Sequence, residues 1–331
     1  MKKYEPPFEI TNEILQYATS ITEKLGSVNS FHSLSKQPVL RKQNRIKSIK
    51  SSCAIEANSL TFNQVHDLIN GQKVIGPKRD IIEVQNAIEA YNEAFNKDPF
   101  SEIDLKFIHS VLTKDVIETS GKYRNGGEGV VDNYGNVIFL APPGKMVPEL
   151  MSNLLIWVKE NFETINTLIL SSIFHYEFVF IHPFEDGNGR TARLWQNLIL
   201  SKWKPIFEYI PIESLIEKYQ TEYYEAIAKS NENGNCTVFI AFMLKMIDLS
   251  LNDLIYETSM LVNNISIYTK KLLNVLIKNK WYSSNEMQKL LKLSDRGNFR
   301  KNYLEPAIKA GLIEIQYPDK PSSRVQRYRK I

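Results

Sequence analysis

Two apolar stretches with a short polar one between them limit what this chain can fold into. Leu168, Ile169, Leu170, Ile173, Phe174, Phe178, Phe180 and Ile181 form a broad apolar stripe, and Ala192, Leu194, Trp195, Leu198, Ile199 and Leu200 form a second one shortly after. Both have helical spacing and ordinary helix length, so both read as buried helices around which the rest of the chain is organised. The residues joining them are His182-Pro183-Phe184-Glu185-Asp186-Gly187-Asn188-Gly189-Arg190. A turn alone needs no more than Asp-Gly or Asn-Gly. This loop carries groups with separate chemical uses.

His182 precedes Pro183, which pushes its backbone toward an extended conformation and keeps it from continuing the helix. Its imidazole titrates near neutral pH and can take a proton from a hydroxyl. Asp186 is a hard oxygen ligand suited to Mg²⁺ shared with phosphates. Gly187 and Gly189 permit positive φ and close backbone approach. With Asn188 they open the second helix, whose free N–H groups can form an anion nest. Arg190 and Arg193 lie three apart on its first turn, and each can fork onto phosphate oxygens. A base, a metal ligand, an anion nest and two arginines together describe a nucleotide site that transfers a phosphorus centre to a hydroxyl. Taken singly, an Asp-Gly-Asn-Gly is more often a loop and a lone His more often a packed side chain.

Residues 182–190 also resemble the signature His-Pro-Phe-x-Asp/Glu-Gly-Asn-Gly-Arg of Fic-domain proteins, matching it at every position. The resemblance implies a mainly α fold: a Fic helical bundle with a β-hairpin flap. It implies an enzyme that uses Mg·ATP to transfer AMP onto a Ser, Thr or Tyr hydroxyl of a target protein. By the same resemblance His182 is the base, Asp186 holds Mg²⁺, and Gly187, Asn188, Gly189, Arg190, Thr191, Ala192 and Arg193 bind the phosphates. Phe184 is a packing anchor for the loop. Tyr223 and Tyr224 fall where relatives place aromatics around adenine, although a Tyr pair at helical spacing is more often core.

Upstream, residues 1–100 read as mostly helical, with candidate helices at 11–25, 40–50, 61–69 and 79–95. The second is basic and runs into Ser51-Ser52-Cys53-Ala54-Ile55-Glu56-Ala57-Asn58. From the residues alone, Glu56 is either an acid paired with some Lys or Arg or a functional group. The Fic resemblance sharpens this. Many such proteins carry an inhibitory helix with Ser/Thr-x-x-x-Glu-Gly/Asn, and Ser52 and Glu56 have its spacing. Ala57 departs from it, where Gly or Asn is expected. The resemblance therefore adds Glu56 to the ATP site as an autoinhibitor.

Residues 101–112 read as a helix capped by Ser101. Gly121-Lys122-Tyr123-Arg124 then leads into β-branched residues flanking the polar tip 132–136, a hairpin signal ended by Pro142-Pro143. An isolated hairpin exposes an edge. In Fic proteins this position is a flap, here 121–143, on which an extended segment of the target docks by strand addition. Helices follow at 147–162, 215–230 and 237–254.

The C-terminal 265–331 are a separate electrostatic object, with 15 Lys/Arg against 5 Asp/Glu, whereas the whole chain carries a net charge of only +4. Helices at 267–279 and 285–291, a basic helix with Arg296, Arg300 and Lys301, and strands at 312–315 and 325–329 around a wing at 319–324 read as a winged helix-turn-helix. Its pattern suits DNA, and it suits protein contact or dimerisation equally. The expected organisation is 1–100 as an N-terminal helical region with the inhibitory helix, 101–255 as the Fic catalytic core and 265–331 as the winged helix. Hydrophobic content of 43% and charged content of 24% are those of a globular protein. No apolar run approaches a membrane span. Two cysteines cannot build a disulfide framework, so a reducing, cytoplasmic setting is expected.

The expected partners are a target protein at the flap, DNA or protein at the tail, and a second copy of the chain in a homodimer, with no membrane. Three other functions fit the same features: transfer of another nucleotidyl or phosphate-containing group, removal of AMP with Glu56 orienting a water, and DNA-binding regulation by a self-modifying protein.

Overall fold

The apolar stretch beginning near residue 167 forms the helix Thr167–Ile181, and the one beyond the polar loop forms Asn188–Trp203; in chain order these are α7 and α8. They pack on each other along their lengths. α7 is buried on nearly every face, with the polar Ser171, Ser172, His175 and Glu177 buried alongside its apolar stripe. The computed structural model describes residues 4–30, 38–127, 129–131, 137–262, 266–309, 312–317 and 326–330. Two compact units divide the chain, Met1–Asn252 and Asp253–Ile331.

In the first unit the helices before α7 are α1 (Asn12–Ser30), α2 (Pro38–Ile55), α3 (Phe62–Ile69), α4 (Lys78–Ala94), α5 (Glu102–Leu112) and α6 (Val147–Asn161). Those after α8 are α9 (Ile212–Lys218), α10 (Gln220–Asn233) and α11 (Thr237–Val262), whose residues from Asp253 on belong to the second unit. α6 packs on α7, and α5 packs on α8. α2 lies against α9 and also touches α4 and α8, which brings its C-terminal end to the start of α8. Local chemistry sets several boundaries. Thr61 and Gln64 form a capping box at α3, and the Ser101 hydroxyl caps α5 by accepting from Asp104 N–H. The single helix expected at 215–230 is instead broken, because Tyr219 leaves helical geometry (φ −112°, ψ 39°) between α9 and α10. The hairpin pairs β1 (Gly129–Val131) with β2 (Val137–Leu140), antiparallel and with a register shift after Val130; its expected polar tip lies outside the described residues. Among the described residues, no helix is long and apolar enough to cross a membrane.

The second unit contains α12 (Ile267–Val275), β3 (Trp281–Ser283), α13 (Ser284–Leu290), α14 (Arg296–Asn298), a π-helical stretch Phe299–Leu304, α15 (Glu305–Lys309), β4 (Ile313–Ile315) and β5 (Arg327–Lys330). The strands form one antiparallel sheet in the order β3-β5-β4. Its core is built from Leu272, Leu273, Leu276, Met287, Phe299, Leu304, Ala307 and Ile313. The element order is the one expected for a winged helix, with two corrections: α12 is shorter than 267–279, and β3 was not anticipated. Strand β3 is three residues long and exists by pairing with β5, far along the chain, so no local pattern announces it. The expected wing, with Arg324, lies outside the described residues. Ser283 and Glu286 form a capping box at α13, and Asp295 caps α14. Arg296, Arg300 and Lys301 are all exposed, with Arg300 Nε donating to Glu305 at 2.9 Å.

Candidate active site

The loop between α7 and α8 is locked from several sides. His182 is the C-cap of α7 and has left-handed backbone geometry (φ 50°, ψ 61°), not the extended one expected before proline. Both conformations avoid the right-handed region that Pro183 disfavours. What selects the left-handed one is Arg124, which is buried between α7 and the hairpin. Its Nε donates to the His182 carbonyl at 2.6 Å and its Nη2 to those of Ile181 (3.1 Å) and Pro142 (2.6 Å). Its Nη1 donates to the Gly126 carbonyl at 2.6 Å. One guanidinium thus joins the end of α7 to both feet of the hairpin.

Phe184 is fully buried. It stacks on His109 of α5, with ring centroids 3.5 Å apart and planes 7° from parallel. The Gly121 N–H donates to His109 Nδ1 at 3.0 Å. His109 Nε2 therefore carries the proton and donates to the Asp186 carbonyl at 2.9 Å. Burial lowers the His109 pKa to about 4, which keeps the ring neutral. The Asn188 side chain bridges the Phe184 N–H and C=O, so this asparagine braces the loop. Gly187, the N-cap of α8, has φ 80°, and a Cβ there would lie 2.7 Å from Thr113 Cγ2; glycine meets both demands.

The imidazole of His182 is largely buried, and burial lowers its pKa, with the nearby Val179 carbonyl pulling the other way. Its Nδ1 is buried without a well-formed hydrogen bond among the described residues. Asp186 accepts at Oδ1 from the Gly187 N–H and from Arg190 Nη2 (3.0 Å), and at Oδ2 from Arg79 Nη2 (3.0 Å). Arg190 Nη1 also lies 3.5 Å from Glu83 of α4. Arg190 Nε and Arg193 Nη1 are buried without hydrogen-bond partners among the described residues. Such donors at a helix N-terminus suit an anion.

Arg193 turns away from the loop toward the end of α2. Its Nη2 donates to Glu56 Oε1 and to the Ser52 carbonyl, each at 2.8 Å, and its Nε to the Ser52 hydroxyl at 3.2 Å. Glu56 Oε1 lies so close to Gly189 that a Cβ there would be 2.2 Å from it. The residue after Glu56 explains the placement. Ala57 has φ 65°, with Ala57 N–H bonded to the Ala54 carbonyl and Asn58 N–H to the Cys53 carbonyl. This is a Schellman end, whose left-handed residue is usually glycine. Ala57 departs from the sequence pattern at the one position where the backbone demands positive φ.

The other expected contributors divide. Thr191 and Ala192 are fully buried, and the Thr191 N–H already bonds the Gly187 carbonyl. Tyr223 is buried, with its hydroxyl 2.9 Å from His175 Nε2, while neighbouring Tyr224 is half exposed. Sequence reasoning missed His109, Arg79, Glu83 and the role of Arg124. The signal nearest to hand was Gly121-Lys122-Tyr123-Arg124, where a Cβ at Gly121 would lie 2.9 Å from Ser110 Cβ of α5.

Residues 99–200 match the Fic/DOC family, and residues 269–330 match the Fic-like C-terminal domain described as "Filamentation induced by cAMP protein Fic-like". A Fic family protein of Desulfovibrio desulfuricans G20, known from its crystal structure, is 38% identical over 99% of this chain and 98% of its own, with a TM-score of 0.72. The chain belongs to the Fic family. A Fic domain containing signaling protein of Bacteroides thetaiotaomicron shares the fold at 20% identity, over 72% of this chain and 97% of its own (TM-score 0.62). The protein adenylyltransferase Fic of Drosophila erecta is 26% identical over 240 residues, 68% of this chain and 45% of its own. That of Nematostella vectensis is 24% identical over 274 residues, 76% and 58%. The chain spans about half the length of the curated relatives it matches.

Proposed function

We propose that this chain is a protein adenylyltransferase that transfers AMP from ATP to a Ser, Thr or Tyr hydroxyl of a target protein and is held off by Glu56. The observation that carries the reading is the meeting, at one helix N-terminus, of a neutral buried imidazole and buried arginine donors without partners. The adenylyltransferase names of the relatives support it.

The chain's groups divide the work as follows. Free N–H groups at the start of α8 and Arg190 hold the phosphates, and Arg193, once free of Glu56, holds the end of the triphosphate. His182 removes the proton from the target hydroxyl as its oxygen bonds to the α-phosphorus. The bond from that phosphorus to the bridging oxygen breaks, and pyrophosphate leaves with the electron pair. Asp186 would hold Mg²⁺. When bound, Mg²⁺ would neutralise charge on the phosphates.

We also propose that the target docks as an added strand on the 121–143 flap and that the 265–331 tail contacts DNA or protein, with exposed Arg296, Arg300 and Lys301 suited to a negatively charged partner. A cytoplasmic setting is supported by two buried free thiols, Cys53 and Cys236.

The test is to incubate the Glu56→Gly protein and lysate with ATP labelled either at the α-phosphate or at the γ-phosphate, and to weigh the products. Protein-bound label from the α position with the mass of one AMP is expected. Label from the γ position, or none from either, would overturn the reading. A protein already carrying AMP, given to the wild type, tests removal in the same assay.

A further inference from the structure

The two oxygens of Asp186 are held differently. Oδ1 is bound from within the loop and α8, by the Gly187 N–H and by Arg190, whose side chain is 3% exposed. Oδ2 is bound from outside, by Arg79 Nη2 at 3.0 Å from the first turn of α4. Arg79 is 65% exposed, and Asp186 is 35% exposed. Oδ2, the oxygen not held by the loop and α8, therefore already has a cation on it. Arg79 also has an anchor. Its Nε donates to Glu83 Oε1 at 3.1 Å, and Glu83 Oε2 accepts from Asn58 Nδ2 at 3.1 Å. Asn58 belongs to the turn that ends α2 and carries Glu56, since its N–H bonds the Cys53 carbonyl.

We propose that Arg79 is a placeholder cation: it occupies the outer oxygen of Asp186 until a divalent ion displaces it, and so sets how much Mg²⁺ the site needs. This rests on the reading of Asp186 as the metal-holding group. A guanidinium in contact with a carboxylate oxygen and a dication on the same oxygen repel strongly even in water, so one must leave. Arg79 is the one able to go. Its exposed side chain can swing without uncovering core, and Glu83 keeps it paired after it moves. Arg190 is buried and stays. Because both partners of the contact are partly exposed, the competition is graded. The site then carries two restraints tied to one turn, Glu56 on Arg193 and, through Asn58 and Glu83, Arg79 on Asp186.

The test is a binding measurement on the full chain. Affinity for the non-hydrolysable α,β-methylene analogue of ATP is measured by calorimetry across a series of MgCl₂ concentrations, for the wild type, Arg79→Gln and Asp186→Asn. In Arg79→Gln the Mg²⁺ concentration giving half of the full tightening should fall roughly fivefold. Asp186→Asn should lose the Mg²⁺ dependence. If Asp186→Asn keeps that dependence, the metal reading of Asp186 fails and the inference with it. If Asp186→Asn loses it but Arg79→Gln has a midpoint equal to or above the wild type, the metal reading stands and the role of Arg79 is overturned.

Discussion

Glu56 and Arg193 stand 137 positions apart in the chain and meet at 2.8 Å, with the carboxylate lying over Gly189 at the start of α8. The space taken by that carboxylate adjoins the N–H groups that open α8, and its charge occupies the arginine that a triphosphate would use. After its removal Arg193 still has hydrogen bonds to the Ser52 carbonyl and hydroxyl, which offset part of the cost of losing its counter-charge. The Glu56→Gly protein is therefore expected to fold and to incorporate AMP faster by about one to two orders of magnitude, the worth of one charge-assisted bond. Incorporation from labelled ATP into the protein itself or a lysate is the measurement. Unchanged incorporation with an intact fold would make Glu56 purely structural.

His182→Ala is expected to lower transfer by roughly 10²–10⁴-fold while nucleotide affinity, read by calorimetry, stays near the wild type. Burial lowers the His182 pKa, so the ring remains a neutral base at pH values where an ordinary histidine is protonated. The acid limb of the rate profile of Glu56→Gly should accordingly lie below the usual histidine range. A limb at or above that range would argue against His182 as the base.

Ala57 holds a left-handed backbone at the end of α2 (φ 65°), which costs a residue with a Cβ about 1 kcal/mol or more. Ala57→Gly should relieve that strain, hold the α2 turn and Glu56 more firmly, and lower basal AMP incorporation about fivefold. The same change should raise the melting temperature by about 2–4 °C. Higher basal activity in Ala57→Gly would contradict this account.

His109 is neutral in the fold, with a pKa lowered from 6.5 to about 4 by burial. Below pH 6.5 the unfolded chain takes up a proton that the folded one refuses, so stability falls as pH drops from 6.5 to about 4 and levels off beneath. The difference is on the order of 3 kcal/mol. His109→Gln, which can still donate to the Asp186 carbonyl, should flatten this slope. Urea midpoints at pH 7, 5.5 and 4.5 for both proteins read it directly, and parallel curves would show that His109 does not govern acid sensitivity.

If the 265–331 tail contacts DNA, binding should weaken with salt with a log–log slope of about −0.9 per neutralised phosphate. Arg296→Gln with Lys301→Gln should lower the slope by about 2 and leave auto-modification near the wild-type rate. A gel shift at low salt decides: no DNA complex with the full chain would end the DNA reading, and loss of target modification on deleting the tail would favour protein contact.

The cap of α5 and the nucleotide loop were legible because their causes are local. Ser101 caps its helix through Asp104, three residues on. Periodicity likewise announced α7, α8 and the loop between them. The break at Tyr219 and strand β3 were not legible, since the one depends on how α9 and α10 pack and the other on β5.

By itself, then, the sequence determined the parts of the site: a base, an acid, an anion-binding helix start and two arginines within twelve consecutive residues, 182–193. Their state was decided by tertiary structure. Arg124 sets His182 left-handed, His109 fixes the Asp186 carbonyl, Glu56 takes Arg193, and Arg79 takes the outer oxygen of Asp186. Each of these partners comes from a distant segment. Spacing along a chain orders neighbours on one helix, but it says nothing about which buried charge finds which, because that is settled only when packing removes water and brings particular acceptors within reach of each donor.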